Sequence, residues 1–240
     1  MAANRVTLML LALPILFPAG DPGPAHAQQA AAQQSLIPLP AAVVDGSMSV
    51  ERAMASRRSQ RDLTSSALSL SQLSQLLWSA QGITRTDPDP QRTRRTAPSA
   101  GATYPMEVYA VVGAVDGLEP GVYRYVPLSH ALAPVARGDR RAALFEAAGR
   151  QAAVQAAPVT LVLAAEPART AARYGERTDR YVAIEVGAVA ENVHLQVESL
   201  DLGTVFMGSF RDSDAKSVVG LPDDQVVLGL MPVGRVNVPR

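Results

Sequence analysis

Arg57, Arg58 and Arg61 flank the hydroxyl of Ser59 in the stretch "ASRRSQRDL" of this 240-residue chain. Guanidinium forks bind phosphate two bonds at a time, and a serine hydroxyl among them can hydrogen-bond a further oxygen. Carboxylates do little to explain the cluster: Asp62 lies beside it, and Glu51 is a turn or more away. Spacing alone leaves two readings, an anion site or a solvated helix end whose cations offset the helix dipole. A second stretch, "RRTAPSAGATYP" over residues 94 to 105, places small residues between Pro98 and Pro105. Such a run is either a plain turn or a backbone that lies close against a flat ligand with its amides free to donate. Together the two stretches suggest a planar cofactor that bears a phosphate.

The residue inventory narrows the chemistry further. Cysteine is absent, which removes disulfides, thiolate nucleophiles and thiolate metal ligands. Among 22 basic residues only Lys216 is a lysine, and the three histidines are His26, His130 and His194. A histidine-rich metal centre is therefore not expected. Twenty-two acidic residues balance the basic ones, so general attraction to nucleic acid or to a membrane surface is not expected either. "SDAK" at Ser213 to Lys216 matches an S-x-x-K nucleophile motif but lacks the second lysine that chemistry requires.

The elements that must position these residues follow from periodicity. "VERAMASRRSQ" spaces Val50, Ala53 and Met54 for a helix, which puts the arginines at its end and in the turn after it. "SLSQLSQLLWSAQG" has Ser69 three residues before Gln72, then a leucine stripe and Gly82, the pattern of a capped amphipathic helix with Trp78 in its core face. Residues 84 to 96, with two Asp-Pro pairs, read as a surface loop. "MEVYAVVG" and "GVYRYV" read as an antiparallel pair of strands, "DRRAALFEAAG" as a short helix and "PVTLVLAA" as a buried strand. "TDRYVAIEVGAVAENVHLQVESLDLG" predicts a long, largely buried helix carrying His194 and ending at Gly203. A strand and turn in "TVFMGSF", a short helix in "DSDAKSVVG" and a last strand in "QVVLGLMPVG" complete an α+β sandwich.

Residues 1–27 combine Arg5, the apolar run "VTLMLLALPILF" and "AHA", the pattern of a cleavable signal peptide. The run is too short to span a bilayer, so stable membrane insertion is not expected, and a periplasmic or secreted destination is. Residues 28–42 read as a flexible arm and residues 43–240 as one domain beginning near Val43.

Five stretches, taken in order, resemble the FMN-dependent nitroreductase superfamily, in its SagB/ThcOx-type branch related to azoline dehydrogenases. They are "SRRSQRDL", "LSLSQLSQLLWSAQGIT", "TAPSAGATYPMEVYAVV", "GVYRYVPLSHAL" and "RYGERTDRYVAIEVGAVAENVHLQVESLDLGTVFMGSF". The resemblance implies a nitroreductase-like sandwich with a mainly antiparallel central sheet flanked by helices. It implies a homodimer with FMN at the subunit interface and hydride transfer through flavin N5 to or from a small molecule or peptide. By the same resemblance Arg57, Arg58, Ser59 and Arg61 hold the phosphate and ribityl chain, and Pro98, Ser99, Ala100 and Gly101 lie along the flavin from the partner subunit. Gly208 and Ser209 approach its reactive edge, and Arg235 is the match for a further phosphate contact near the C-terminus.

Azoline-oxidising relatives carry a Lys-Tyr pair where this chain has Arg173 and Tyr174 in "ARYGER". An arginine cannot act as a general base near neutral pH, which leaves Tyr174 as the proton donor of the pair. NAD(P)H is the electron donor the superfamily implies, although no G-x-G-x-x-G fingerprint occurs and export would separate the protein from that donor. The alternative is a flavin-binding module that uses FMN structurally or for sensing.

Overall fold

Val108, Ala110 and Val112 point to one side of a central strand while Tyr109 and Val111 point to the other, and every one of them is buried. A strand buried on both faces reads as a continuous apolar run, which is why "MEVYAVV" shows no polar alternation. The computed structural model describes residues 36–89 and 93–237. The signal peptide expected at 1–27 and the arm up to residue 35 lie outside the described residues.

The main sheet is seven-stranded and antiparallel throughout, in the order β1-β6-β5-β4-β7-β9-β8. Its strands are β1 (Ile37–Pro38), β4 (Met106–Val112), β5 (Gly121–Val126), β6 (Ala131–Arg137), β7 (Val159–Ala165), β8 (Gly203–Thr204) and β9 (Val226–Gly234). A separate pair joins β2 (Ile83–Arg85) to β3 (Arg94–Arg95) inside the stretch expected to be plain loop. Ile37 and Pro38, expected to belong to a flexible arm, instead pair with Leu132 and Ala131, so ordered backbone begins before Val43. Three isolated contacts fasten this segment: the Leu39 N–H donates to the His130 carbonyl, and Ser74 Oγ and His130 Nε2 both reach the Pro40 carbonyl.

The helices are α1 (Val50–Ser56), α2 (Leu70–Gln81), α3 (Arg141–Ala147), α4 (Ala152–Ala156), α5 (Pro167–Tyr174), α6 (Thr178–Ser199) and α7 (Asp212–Val219). One core lies between the sheet and α2 with α6, the other between the sheet and α3, α4 and α7. Ser69 and Gln72 close a reciprocal capping box on α2 as the sequence predicts. The 22-residue α6 is buried along one stripe, Val182, Val186, Val189, Val193 and Val197, rather than on several sides. Its opposite face leaves Ala183, Ile184, Gly187 and Glu191 exposed, and it stops at Ser199, short of Gly203.

Candidate functional site

Arg57 caps the end of α1, its N–H donating to the Ala53 carbonyl at 2.8 Å. From there the chain runs along the outer edge of the sheet. The Gln60 N–H donates to Thr204 O at 2.8 Å, Leu63 bridges to Val236, and the Thr64 N–H donates to Arg235 O at 2.8 Å. Gly203 permits this approach, because a Cβ there would fall 2.8 Å from Gln60 Cβ and 2.7 Å from Val236. Arg235, a weak match in sequence, is thereby delivered to the same edge as Arg57, Arg58 and Arg61. Among the described residues none of these four arginines has an acidic partner at ion-pair distance. Arg58, Ser59, Arg61 and Arg235 are exposed. Four arginines on one edge, none ion-paired among the described residues although Asp62 lies nearby, suit a doubly charged phosphate, so the edge fits the group expected there.

Gly208 and Ser209 follow four and five residues beyond Thr204, a reach of about 13 to 17 Å at most along extended chain, short enough for one elongated ligand to touch both places. Met207 exchanges two 2.9 Å bonds with Leu230, which fixes the turn to the sheet. Both turn residues are exposed, and a Cβ on Gly208 would meet only Phe206, at 3.9 Å. The Ser209 carbonyl accepts from Gln151 Nε2 at 2.9 Å.

Pro98 to Gly101 sit elsewhere in the chain. Gly101, Ala102 and Tyr104 all have positive φ, a strained run held by its surroundings. The Tyr104 N–H donates to Ser99 Oγ at 2.9 Å, Thr103 Oγ1 meets Thr170 Oγ1 at 3.0 Å, and Arg169 Nη1 donates to Tyr104 O at 3.1 Å. Arg173 and Tyr174 pack directly on this loop: Arg173 Nη1 donates to Gly101 O at 3.2 Å, and a Cβ on Gly101 would lie 2.5 Å from the Tyr174 hydroxyl. The pair expected from the Lys-Tyr comparison thus lands on the loop expected to face the flavin, at the end of α5, a helix the sequence reading did not anticipate.

A pocket of about 640 Å³ opens here, with Arg94, Arg95, Ser99, Gly101, Tyr104 and Arg173 in its wall. Arg95 and Tyr104 flank the small-residue run and were legible as neighbours of it, but nothing in the sequence shows that Arg95 stacks on Tyr104, with Cζ 4.5 Å from the ring centre. Burial holds the Arg95 guanidinium below the ordinary arginine range, against the opposing charge of Glu107. Arg95 Nη1 donates to Gln81 Oε1 at 2.8 Å. Behind it Glu107 pairs with Arg169 at 2.7 Å. Glu185 of α6 is also buried behind the loop, and burial pushes its carboxyl up to about 7, opposed by the Ser99 side chain, Arg95 and the Met106 main chain.

No hydrogen bond between described residues joins the Pro98 loop to the arginine edge. The arginine edge and the Pro98 loop are thus two separate polar surfaces on the chain. The remaining residues of interest have structural places. His130 bonds Tyr125 and Ser74 at 2.8 and 2.9 Å, and His194 is buried, its ring held below the ordinary histidine range chiefly by that burial. Trp78, expected in the core, is only half-buried and lines a separate cavity of about 420 Å³ with Val43, Val44 and Leu195. Among the described residues there is no metal-binding cluster of acidic and histidine side chains, and no described helix is long and apolar enough to cross a membrane.

Comparison with known proteins agrees with this fold. Residues 54–235 match the nitroreductase family. A nitroreductase-family protein of Methanocaldococcus jannaschii is 41% identical over 78% of this chain and 90% of its own. The microcin B17-processing protein McbC of Escherichia coli is 29% identical over 60% of this chain and 54% of its own, which supports the SagB-type branch. A crystal structure from Ralstonia eutropha superposes with a TM-score of 0.73 at 30% identity, over 85% of this chain and 90% of that one. One from Anabaena variabilis gives 0.68 at 26% identity, over 78% of this chain but only 38% of that one. The NADPH:FMN oxidoreductase of Vibrio harveyi shares the fold, with a TM-score of 0.55 at 20% identity over 80% of this chain and 72% of its own. The chain belongs to the nitroreductase family, a class of FMN-dependent oxidoreductases.

Proposed function

We propose that the protein is an exported, homodimeric oxidoreductase that binds FMN between two copies of the chain and acts on a small molecule or peptide. The observation that carries this reading is the split surface: four arginines that form no ion pair among the described residues lie on the sheet edge at Thr204, a few residues along the chain from the Gly208–Ser209 turn, while the strained Pro98 loop has its own pocket, whose wall includes none of them. A second copy, related by a twofold axis, brings one chain's loop to the other's arginine edge. The exposed apolar face of α6, with Ile184 62% exposed, beside exposed Val50 and Met54 of α1, is the surface such a copy would cover.

In this arrangement Arg57, Arg58, Ser59, Arg61 and Arg235 hold the phosphate end, and Gly208 and Ser209 bring backbone to the ring. Pro98, Ser99, Ala100 and Gly101 from the second copy form its other wall. Bound FMN would supply two-electron hydride chemistry at N5. The Arg173 guanidinium forms part of the pocket wall, and the Tyr174 hydroxyl beside Gly101 would give a proton to the acceptor. NAD(P)H remains the donor the family suggests, and an exported chain would draw on another donor such as a quinol.

Adding FMN to the purified protein should give a bound flavin with shifted visible absorption, and a particle of twice the chain mass in solution. A protein that gains no bound flavin would overturn the proposal. Anaerobic mixing with NADH, NADPH or a quinol should then bleach the flavin, and persistence of the oxidised spectrum with every donor would mark a flavin-binding module. Intact-mass measurement of the exported form should show cleavage after Ala27.

A further inference from the structure

The roles above leave a buried acid, Glu185, without work. Glu185 is 3% exposed, set in α6 among Val182, Val186 and Val189, and its Oε1 is sealed from solvent without a hydrogen-bond partner among the described residues. A buried carboxylate left unpaired is costly, so the group favours its neutral form. Its polar neighbours are few: the Ser99 side chain on the loop, the Met106 main chain of β4, and Arg95 of β3 as the one charge that acts on it. Glu107 and Arg169, the next charges behind Arg95, pair with each other at 2.7 Å.

Ser99 faces both ways. The residue forms part of the pocket wall, and its side-chain oxygen already accepts the Tyr104 N–H at 2.9 Å. A serine oxygen has a second lone pair and one proton to donate, so it can accept from Glu185 while donating into the pocket. Resting on the flavin reading, we infer that Glu185 stores the proton that accompanies electron transfer in this pocket and that the Ser99 hydroxyl relays it to the bound molecule. In the step, the Ser99 O–H bond breaks as its proton joins a basic atom of the pocket's occupant, and Ser99 Oγ takes the proton of Glu185. The net change is one proton moved and no electrons. The carboxylate left behind faces Arg95, whose buried Nε has no partner among the described residues and can answer the new charge. Reversing the two transfers reloads Glu185 from solvent through the pocket mouth.

The test uses the full chain, with and without added FMN. Without FMN, infrared titration of wild-type protein should show a protonated-carboxyl carbonyl band that fades with a midpoint near pH 7, and Glu185→Gln should lack it. With FMN, the pH dependence of the flavin midpoint potential should change slope near the same pH in wild type and lose that break in Glu185→Gln. Ser99→Ala should keep the infrared band and lose the coupling to potential, and Glu185→Asp should restore part of the break. Absence of the band in wild type, or a potential profile unchanged in Glu185→Gln, would overturn the inference. Failure of wild type to bind FMN overturns the assigned destination of the proton, and the ligand-free titration then reports separately on the store.

Discussion

Arg58 and Arg61 carry charge that no carboxylate among the described residues neutralises. If a phosphate supplies the missing partner, each arginine contributes roughly 1.5 to 3 kcal/mol through charge-assisted bonds. The double variant Arg58→Ala with Arg61→Ala should then bind FMN at least about 100-fold more weakly by calorimetry. Unchanged affinity would return the cluster to solvated surface. Glu185 makes a different kind of prediction. Its carboxyl is raised to about 7 in the folded chain from an ordinary 4.5, so the folded state holds the proton more tightly. The stability this lends is fully present below pH 4.5 and is lost as pH rises through 7. Urea unfolding across that window should show a fall of about 3 kcal/mol in wild type and a flatter profile in Glu185→Gln.

At the scale of elements, the capping box of α2 can be weighed alone, because Ser69 and Gln72 bond each other and belong to neither half of the proposed ligand surface. Ser69→Ala should cost about 1 kcal/mol in denaturant unfolding and leave FMN affinity unchanged. That box, the strand runs of β4, β7 and β9 and the helix of α7 were legible because each is written in local periodicity or capping chemistry. Short elements were not: β2, β3 and α4 exist only through what they pack on, and α5 begins at a proline and carries too few apolar residues to announce itself. Site residues followed the same division. Arg57, Arg58, Ser59 and Arg61 stand together in sequence and could be read as one anion site. Glu185 could not, since its meaning comes from Ser99 and Arg95, more than eighty residues earlier in the chain.

For the whole molecule, the proposal turns on whether two copies complete each other. Ile184 stands on the open face of α6, and Gly187 one turn on has nothing within 4 Å of where a Cβ would be. Ile184→Glu should shift the protein toward single chains in sedimentation and weaken FMN binding in parallel. A monomer that binds FMN as tightly as wild type would show that one chain holds the whole site. The arginine edge has a further consequence through its backbone. β8 is only two residues long, and the bonds from Gln60 to Thr204 and from Thr64 to Arg235 cover polar groups that a sheet margin would otherwise offer to strands of other molecules. The segment proposed to grip the phosphate would therefore also guard against aggregation, and occupancy should tighten it. Light scattering on heating should begin at a higher temperature with FMN present than without, so that in an exported protein cofactor supply would govern solubility as well as turnover.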